Sequence, residues 1–329
     1  MQSLEVDGMK SDVRDLVLQC ASNTGQGPLD RALVPAVGAG KMLRSRLVLE
    51  IGTALNLGPC EQLVAAAAAV ELLHVASLVH DDLIDGAEFR REVPAVHVAV
   101  GAGTSILAGD LLLARGMNLA QQAGALAAAV WQSAFEQLTL GQLAESQLSL
   151  RSAEADFLGY ISLKTAALFG ASCQMGAIVA GSPLSSVEHA RLFGWNFGMA
   201  FQLLDDLLDI LGDPDALGKP VETDLPNGVY GVAALKTMAG ERRRLEDALA
   251  ARQFSAAYAL LRSPATIRHS LSLIESYSDA AAEALRQVLG ADGAEDLAVW
   301  AREYVRSALT DGTAEEYRSL LPNHWRGES

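Results

Sequence analysis

Cysteine, lysine and aromatic residues are all scarce in this chain of 329 residues. The three cysteines, Cys20, Cys60 and Cys173, lie far apart without CxxC spacing, which excludes a disulfide framework or a cysteine-built zinc site and fits a reducing cytoplasm. Basic charge is short too. A net charge of −15 argues against nucleic acid as a partner, because phosphate-backbone binding needs basic surface. The N-terminus, MQSLEVDGMKSDVRDL, has no apolar h-region, so no secretory signal is expected. No hydrophobic run is long and clean enough to span a membrane: Leu63 to Val79 is interrupted by Glu71 and His74 and reads as a buried core helix. With only five lysines, at positions 10, 41, 164, 219 and 236, each one carries some information.

Half of the chain is hydrophobic, with much alanine and leucine. Segments between glycine and proline breaks show helical spacing, and no period-two alternation is found. The expectation is an all-α fold, a helical bundle around a central cavity, forming one domain over residues 1–329. Breaks are expected at Gly25 to Ala39, Asn56 to Cys60, Gly86 to Gly103, Gly124, Gly181 to Ser186, Gly212 to Gly231 and Ser263 to Ala265. Motifs occupy roughly residues 40–235. Beyond them, Asp279 to Leu289 and Ala294 to Leu309 have the amphipathic pattern of outer helices.

Two acidic stretches stand out, His80-Asp81-Asp82-Leu83-Ile84-Asp85 and Gln202-Leu203-Leu204-Asp205-Asp206-Leu207-Leu208-Asp209. In a helix, positions i, i+1 and i+4 lie on one side, so each DDxxD projects its three carboxylates together. Both are embedded in apolar sequence, where uncompensated carboxylates are costly. Gly86 follows the first, and Gly212 and Pro214 the second, which places the acids near helix C-termini where the macrodipole also disfavours them. Hard oxygen ligands in duplicate favour divalent ions, and suit Mg²⁺ holding a phosphate-bearing substrate.

Together with further elements in a fixed order, these motifs resemble the trans-isoprenyl diphosphate synthases, the polyprenyl synthetase family. The elements are Gly40-Lys41-Met42-Leu43-Arg44, Glu71-Leu72-Leu73-His74 leading into the first acidic motif, Arg90-Arg91 with Pro94 to His97, Lys164-Thr165-Ala166, and Gly218-Lys219 with Asp224-Leu225 after the second motif. The resemblance implies an all-trans prenyltransferase that joins an allylic diphosphate to isopentenyl diphosphate with about three Mg²⁺ ions. It makes Asp81, Asp85 and Asp205 direct ligands, while Asp82, Asp206 and Asp209 act through water or orient the others. Lys164 joins these six in the catalytic set. Lys41, Arg44, His74 and Arg91 are implied to hold isopentenyl diphosphate, and Arg90, Lys164, Thr165, Gln202 and Lys219 the allylic diphosphate. A cytoplasmic homodimer is the implied form, with a heteromeric partner as an alternative.

Departures from the family pattern are Val229 where a lysine is usual, and Met42 and Ser45 where Arg and Pro are common. Product length is read from Ala76 and Ser77, five and four residues before Asp81. The resemblance implies C20 or longer, because family members that stop at C15 commonly place an aromatic at these positions whereas small residues leave a path for the growing chain; the stop is then expected near Leu73 or Val70 or on a facing helix. A terpene cyclase shares the fold and first motif, but the second DDxxD with Lys41 and Arg44 argues against it. A non-catalytic subunit of a heteromeric synthase would be expected to have lost aspartates, and all six are present.

Overall fold

A computed structural model describes residues 2–38, 40–90 and 93–326, and among these the chain is almost wholly helical. The N-terminal part contains α1 (Gln2–Ser22), α2 (Gly27–Gly38), α3 (Leu43–Ala54) and α4 (Glu61–Asp85). A two-residue antiparallel hairpin, β1 (Phe89–Arg90) and β2 (Val93–Pro94), then leads to α5 (Val96–Val100), α6 (Ala102–Ala123) and α7 (Ala125–Glu145). Next come α8 (Glu154–Ile161), a π-helical turn at Ser162–Ala166, α9 (Ala167–Val179) and α10 (Leu184–Leu211). The rest is α11 (Pro214–Leu217), α12 (Val232–Ala250), α13 (Phe254–Leu261), α14 (Pro264–Gly312) and α15 (Asn323–Arg326), with short 3₁₀ turns at Leu225–Asn227 and Glu315–Leu320.

The two acidic motifs end the two central helices. In α4 the run from Ala65 to Val70 is buried, and α6 packs along it. The window of α4 apolar enough to span a membrane is 72% buried inside the protein, as expected of a core helix. In α10 the buried face is packed by α9 on one side and α14 on the other. A methyl group at Gly194 would lie 2.3 Å from the Phe169 carbonyl oxygen, so only glycine permits this closeness of α9 and α10. The chain folds back at Gly290, where φ is +74°, a conformation open to glycine. The arms 264–289 and 291–312 are thereby brought side by side, with Arg302 bonded to Asp279 at 3.0 Å.

Some expected breaks contain helix. The Gly25–Ala39 region carries α2, which tolerates Pro35 near its end because Leu29, Ala32, Leu33 and Val37 bury an apolar face. The Gly86–Gly103 segment contains the small hairpin and α5, and Gly212–Gly231 contains α11 and a 3₁₀ turn.

Candidate active site

The first acidic set sits on the last turn of α4, stopped by Gly86 in the left-handed region at φ +67°. Its carboxylates do not share one environment. Asp82 is buried, and its Oδ1 accepts from both Nε and Nη2 of Arg90 at 2.6 Å. Asp81 is half-buried and its carboxyl is pushed up to about 6 by burial, reinforced by the charges of Asp85 and Glu145 and opposed by Lys164. Burial, with Glu145 and Asp82 nearby, raises Asp85 as well.

The second set, on the last two turns of α10, divides three ways. Asp205 is paired with Lys219 at 2.5 Å. Asp206 accepts from Gln202 Nε2 at 2.9 Å through Oδ1, while Oδ2, also buried, has no hydrogen-bond partner among the described residues. Desolvation, then Asp224 and the neighbouring aspartates, hold the Asp206 carboxyl well above the usual range. Gln202 is in turn oriented by Thr165, whose hydroxyl donates to Gln202 Oε1 at 2.9 Å.

Asp209 faces the opposite requirement. Its Oδ1 accepts from Thr223 N–H at 2.9 Å and the Thr223 hydroxyl at 3.0 Å, and its Oδ2 accepts from the Tyr258 hydroxyl at 2.8 Å and Asp224 N–H at 3.3 Å. A carboxylate offers about four lone-pair sites, so Asp209 is fully engaged as an anchor for the 222–225 loop. Asp224, carried by that loop, is pushed up to about 7 by burial and then by Asp209 and Asp205.

Between the two sets stand α7 and the π turn. Glu145, the last residue of α7, pairs with Lys164 and accepts from the Tyr160 hydroxyl at 2.6 Å. Its charge bears on Asp81 and Asp85 and on Asp224, so it belongs to both sets. The π turn presents Lys164 and Thr165 in succession, and Gly141 of α7 lies against it: a methyl there would be 2.5 Å from Lys164 N. Glu145 and Asp224 were not among the residues assigned to a site from the sequence, although Gly141 and Glu145, one turn apart, share the face that meets Lys164. Tyr258 has no motif to reveal it.

The remaining cations lie at the start of α3. Lys41 is exposed, and Arg44 stacks on Phe169 at 4.4 Å from the ring centroid, within electrostatic range of Tyr304. Met42 adopts φ +50° as the helix begins, an unusual conformation for a non-glycine residue. Buried Glu71 of α4 satisfies the first turn of α3 by accepting the Ser45 N–H at 2.9 Å, a bond that a proline at position 45 could not donate. His74, one turn along α4 from Glu71, is half-buried, and Arg91 lies outside the described residues. Ala76 is completely buried and Ser77 bonds back to the His74 carbonyl at 2.8 Å. Seven residues before Ala76, the Ala69 carbonyl accepts the Trp131 indole N–H at 2.8 Å. Val229 is partly exposed on the rim of a cavity lined also by Asp206, Asp209 and Asp224.

Among the described residues no three acidic or imidazole groups converge into a ready-made metal cage. The unpartnered Asp206 oxygen, the all-oxygen donor set and the raised Asp81 and Asp224 carboxyls fit a divalent ion at this position.

Comparison with known proteins gives the same family as the motifs. The polyprenyl synthetase family model matches residues 28–261. A geranylgeranyl diphosphate synthase of Sulfolobus acidocaldarius is 40% identical over 60% of this chain and 63% of its own length. Component 2 of a heptaprenyl diphosphate synthase from Geobacillus stearothermophilus is 32% identical over 80% of this chain and 85% of its own. Among solved structures, a Caulobacter crescentus polyprenyl synthase complexed with calcium and isoprenyl diphosphate superposes with a TM-score of 0.77 at 29% identity, covering 89% of this chain and 94% of that one.

Proposed function

The chain belongs to the polyprenyl synthetase family, and from that membership we propose that it is a Mg²⁺-dependent prenyltransferase condensing an allylic diphosphate with isopentenyl diphosphate. The observation that carries this reading is the pairing at the cleft: Arg90, Lys164 and Lys219, the cations assigned to the allylic diphosphate, each rest on a carboxylate, Asp82, Glu145 and Asp205 respectively. Such pairs hold both charges in place until a polyanion and its counterions arrive together. The calcium and isoprenyl diphosphate named for the Caulobacter relative point to the same ligand chemistry.

Asp81, Asp85 and Asp205 would ligate Mg²⁺ directly, and Asp82 and Asp206 would act through water. The four donors on Asp209 support reading it as an orienting residue rather than a ligand of the ion. Bound divalent ions supply electrostatic stabilisation of the departing diphosphate. Arg90, Lys164 and Lys219 would then exchange carboxylate for phosphate oxygens, with Thr165 and Gln202 fixing the reacting end. Lys41, Arg44, His74 and Arg91 would hold isopentenyl diphosphate without metal. Departure of diphosphate leaves an allylic cation, C4 of isopentenyl diphosphate attacks it, and loss of a proton gives a product five carbons longer. No protein nucleophile enters.

We assign the product to C20 or longer. Ala76 and Ala69, two helical turns apart, share one side of α4. Small residues there would mark the path of an extended chain, with Trp131, whose indole N–H is bonded to the Ala69 carbonyl, as its floor. One folding unit over residues 1–329, in a cytoplasmic homodimer, completes the reading. Support for the dimer comes from the exposed leucines of α6 and α7, Leu107 on the first and Leu126, Leu140 and Leu143 on the second. A heteromeric partner is the alternative that the component 2 relative suggests.

Asp81→Ala and Asp205→Ala test the mechanism. Each is expected to lower turnover by several orders of magnitude, on the order of several kcal/mol of lost leaving-group stabilisation. Near-normal condensation by either variant, or by the unmodified chain in excess EDTA, would overturn it.

A further inference from the structure

We propose that Tyr258 is a positioning residue for the metal site, acting through Asp209 and the 222–225 loop to hold Asp224 and Asp206 toward the cleft. This rests on the metal-dependent reading above. Tyr258 lies on α13, in a segment without any motif, and is completely buried. Its hydroxyl donates to Asp209 Oδ2 at 2.8 Å and accepts the Leu225 N–H at 3.2 Å, so one oxygen joins the second acidic helix to the loop beside it.

The junction is closed from several directions. Thr223 takes Asp209 Oδ1, the Glu222 N–H donates to the Asp209 carbonyl at 2.8 Å, and Arg262 bonds both Glu222 and the Ile210 carbonyl. Tyr258, Asp206, Asp209, Asp224 and Val229 line one cavity, which places the Tyr258 side chain beside these carboxylates. Without it, Asp209 Oδ2 would keep only the 3.3 Å bond from Asp224 N–H, and the Leu225 N–H would lose its acceptor. The loop carrying Asp224 would then be free to shift. Packing alone does not require the hydroxyl, because a phenylalanine ring fills the same volume.

The test compares Tyr258→Phe, Thr223→Val and Thr237→Val with the unmodified protein. Thr223→Val removes a donor from the same carboxylate on the loop side. Thr237→Val breaks a buried bond to Thr266 at 3.1 Å between α12 and α14 and serves as a control for simple destabilisation. The first readout is the Mg²⁺ concentration needed, with inorganic pyrophosphate, to raise the melting temperature halfway to its plateau. Tyr258→Phe and Thr223→Val are expected to need roughly tenfold more Mg²⁺, the scale of losing one hydrogen bond to a charged group. Thr237→Val is expected to lower the melting temperature without moving that midpoint. The second readout is kinetic: KM for isopentenyl diphosphate should be unchanged in all three. An unchanged Mg²⁺ midpoint in Tyr258→Phe, an equal shift in Thr237→Val, or no Mg²⁺ effect on the unmodified protein overturns the positioning role. Absence of condensation with the Mg²⁺ midpoints behaving as expected counts against the prenyltransferase reading instead.

Discussion

Gly141→Ala places a methyl group where the two halves of the cleft meet. Built on the backbone of α7, the new carbon would be 2.5 Å from Lys164 N, 2.8 Å from its Cα and 2.9 Å from its Cβ. Ordinary contacts are roughly 3.5–4.0 Å, so α7 and the π turn must separate by about 1 Å. Because the obstructing atoms are mostly backbone, no rotamer change relieves them. Overpacking of this kind costs about 1–3 kcal/mol, offset by about 1 kcal/mol of improved helix propensity. A fall of a few degrees in melting temperature is expected. The functional effect should be larger, since the π turn carries Lys164 and Thr165, and misplacement by about 1 Å can lower rates by roughly a hundredfold. Steady-state kcat/KM for the allylic diphosphate should fall by roughly tenfold to a hundredfold. Gly159→Ala is the matched control: it lies in α8 with no atom within 4 Å of the added carbon and should be neutral or slightly stabilising. Gly141→Ala with unchanged kinetics would refute the claim that contact of α7 with the π turn sets the site.

Two further outcomes follow from the same geometry. Ala76→Tyr should shorten the product distribution while condensation continues, and Trp131→Ala should lengthen it, both read by chromatography of the dephosphorylated alcohols; unchanged distributions would contradict this placement of the path. The metal-free protein should respond to pH in the direction set by its raised carboxyls. Asp81 at about 6 and Asp224 at about 7 bind protons in the folded state that the unfolded chain has already released, so stability rises as pH falls from about 7 toward 4. In EDTA the melting temperature should therefore be higher at pH 5.5 than at pH 7.5, and the gain should shrink in Asp224→Asn. A lower melting temperature at pH 5.5 would show that these carboxyls are not raised.

The frame of the site was legible because its chemistry needs repeated carboxylates and a few cations in a chain that has little basic charge to spare. Both DDxxD motifs fall at the ends of long core helices, as the glycines after them suggested. What was not legible is how the six aspartates differ. Position within DDxxD gives a shared helical side, but Asp82 and Asp209 are committed to partners eight or more residues away, Arg90 in one case and Thr223 and Tyr258 in the other. Those roles come from tertiary contacts that spacing cannot reveal. The same holds for Glu145, which terminates a helix whose neighbours in sequence carry no charge of note, and for Ser45, where departure from the family's proline makes sense only once Glu71 is seen to accept its N–H. The short hairpin and α5 were read as an irregular break because two-residue strands carry too little periodicity to register.

The most direct measurement is incubation of the purified chain, without any added subunit, with Mg²⁺, labelled isopentenyl diphosphate and a series of allylic diphosphate primers. Acid-labile linear polyprenyl diphosphate of C20 or more, formed only when both substrates and the metal are present and lost in EDTA, is the expected result. A cyclised hydrocarbon formed from the allylic diphosphate alone, or no incorporation of label with any primer, would contradict the account.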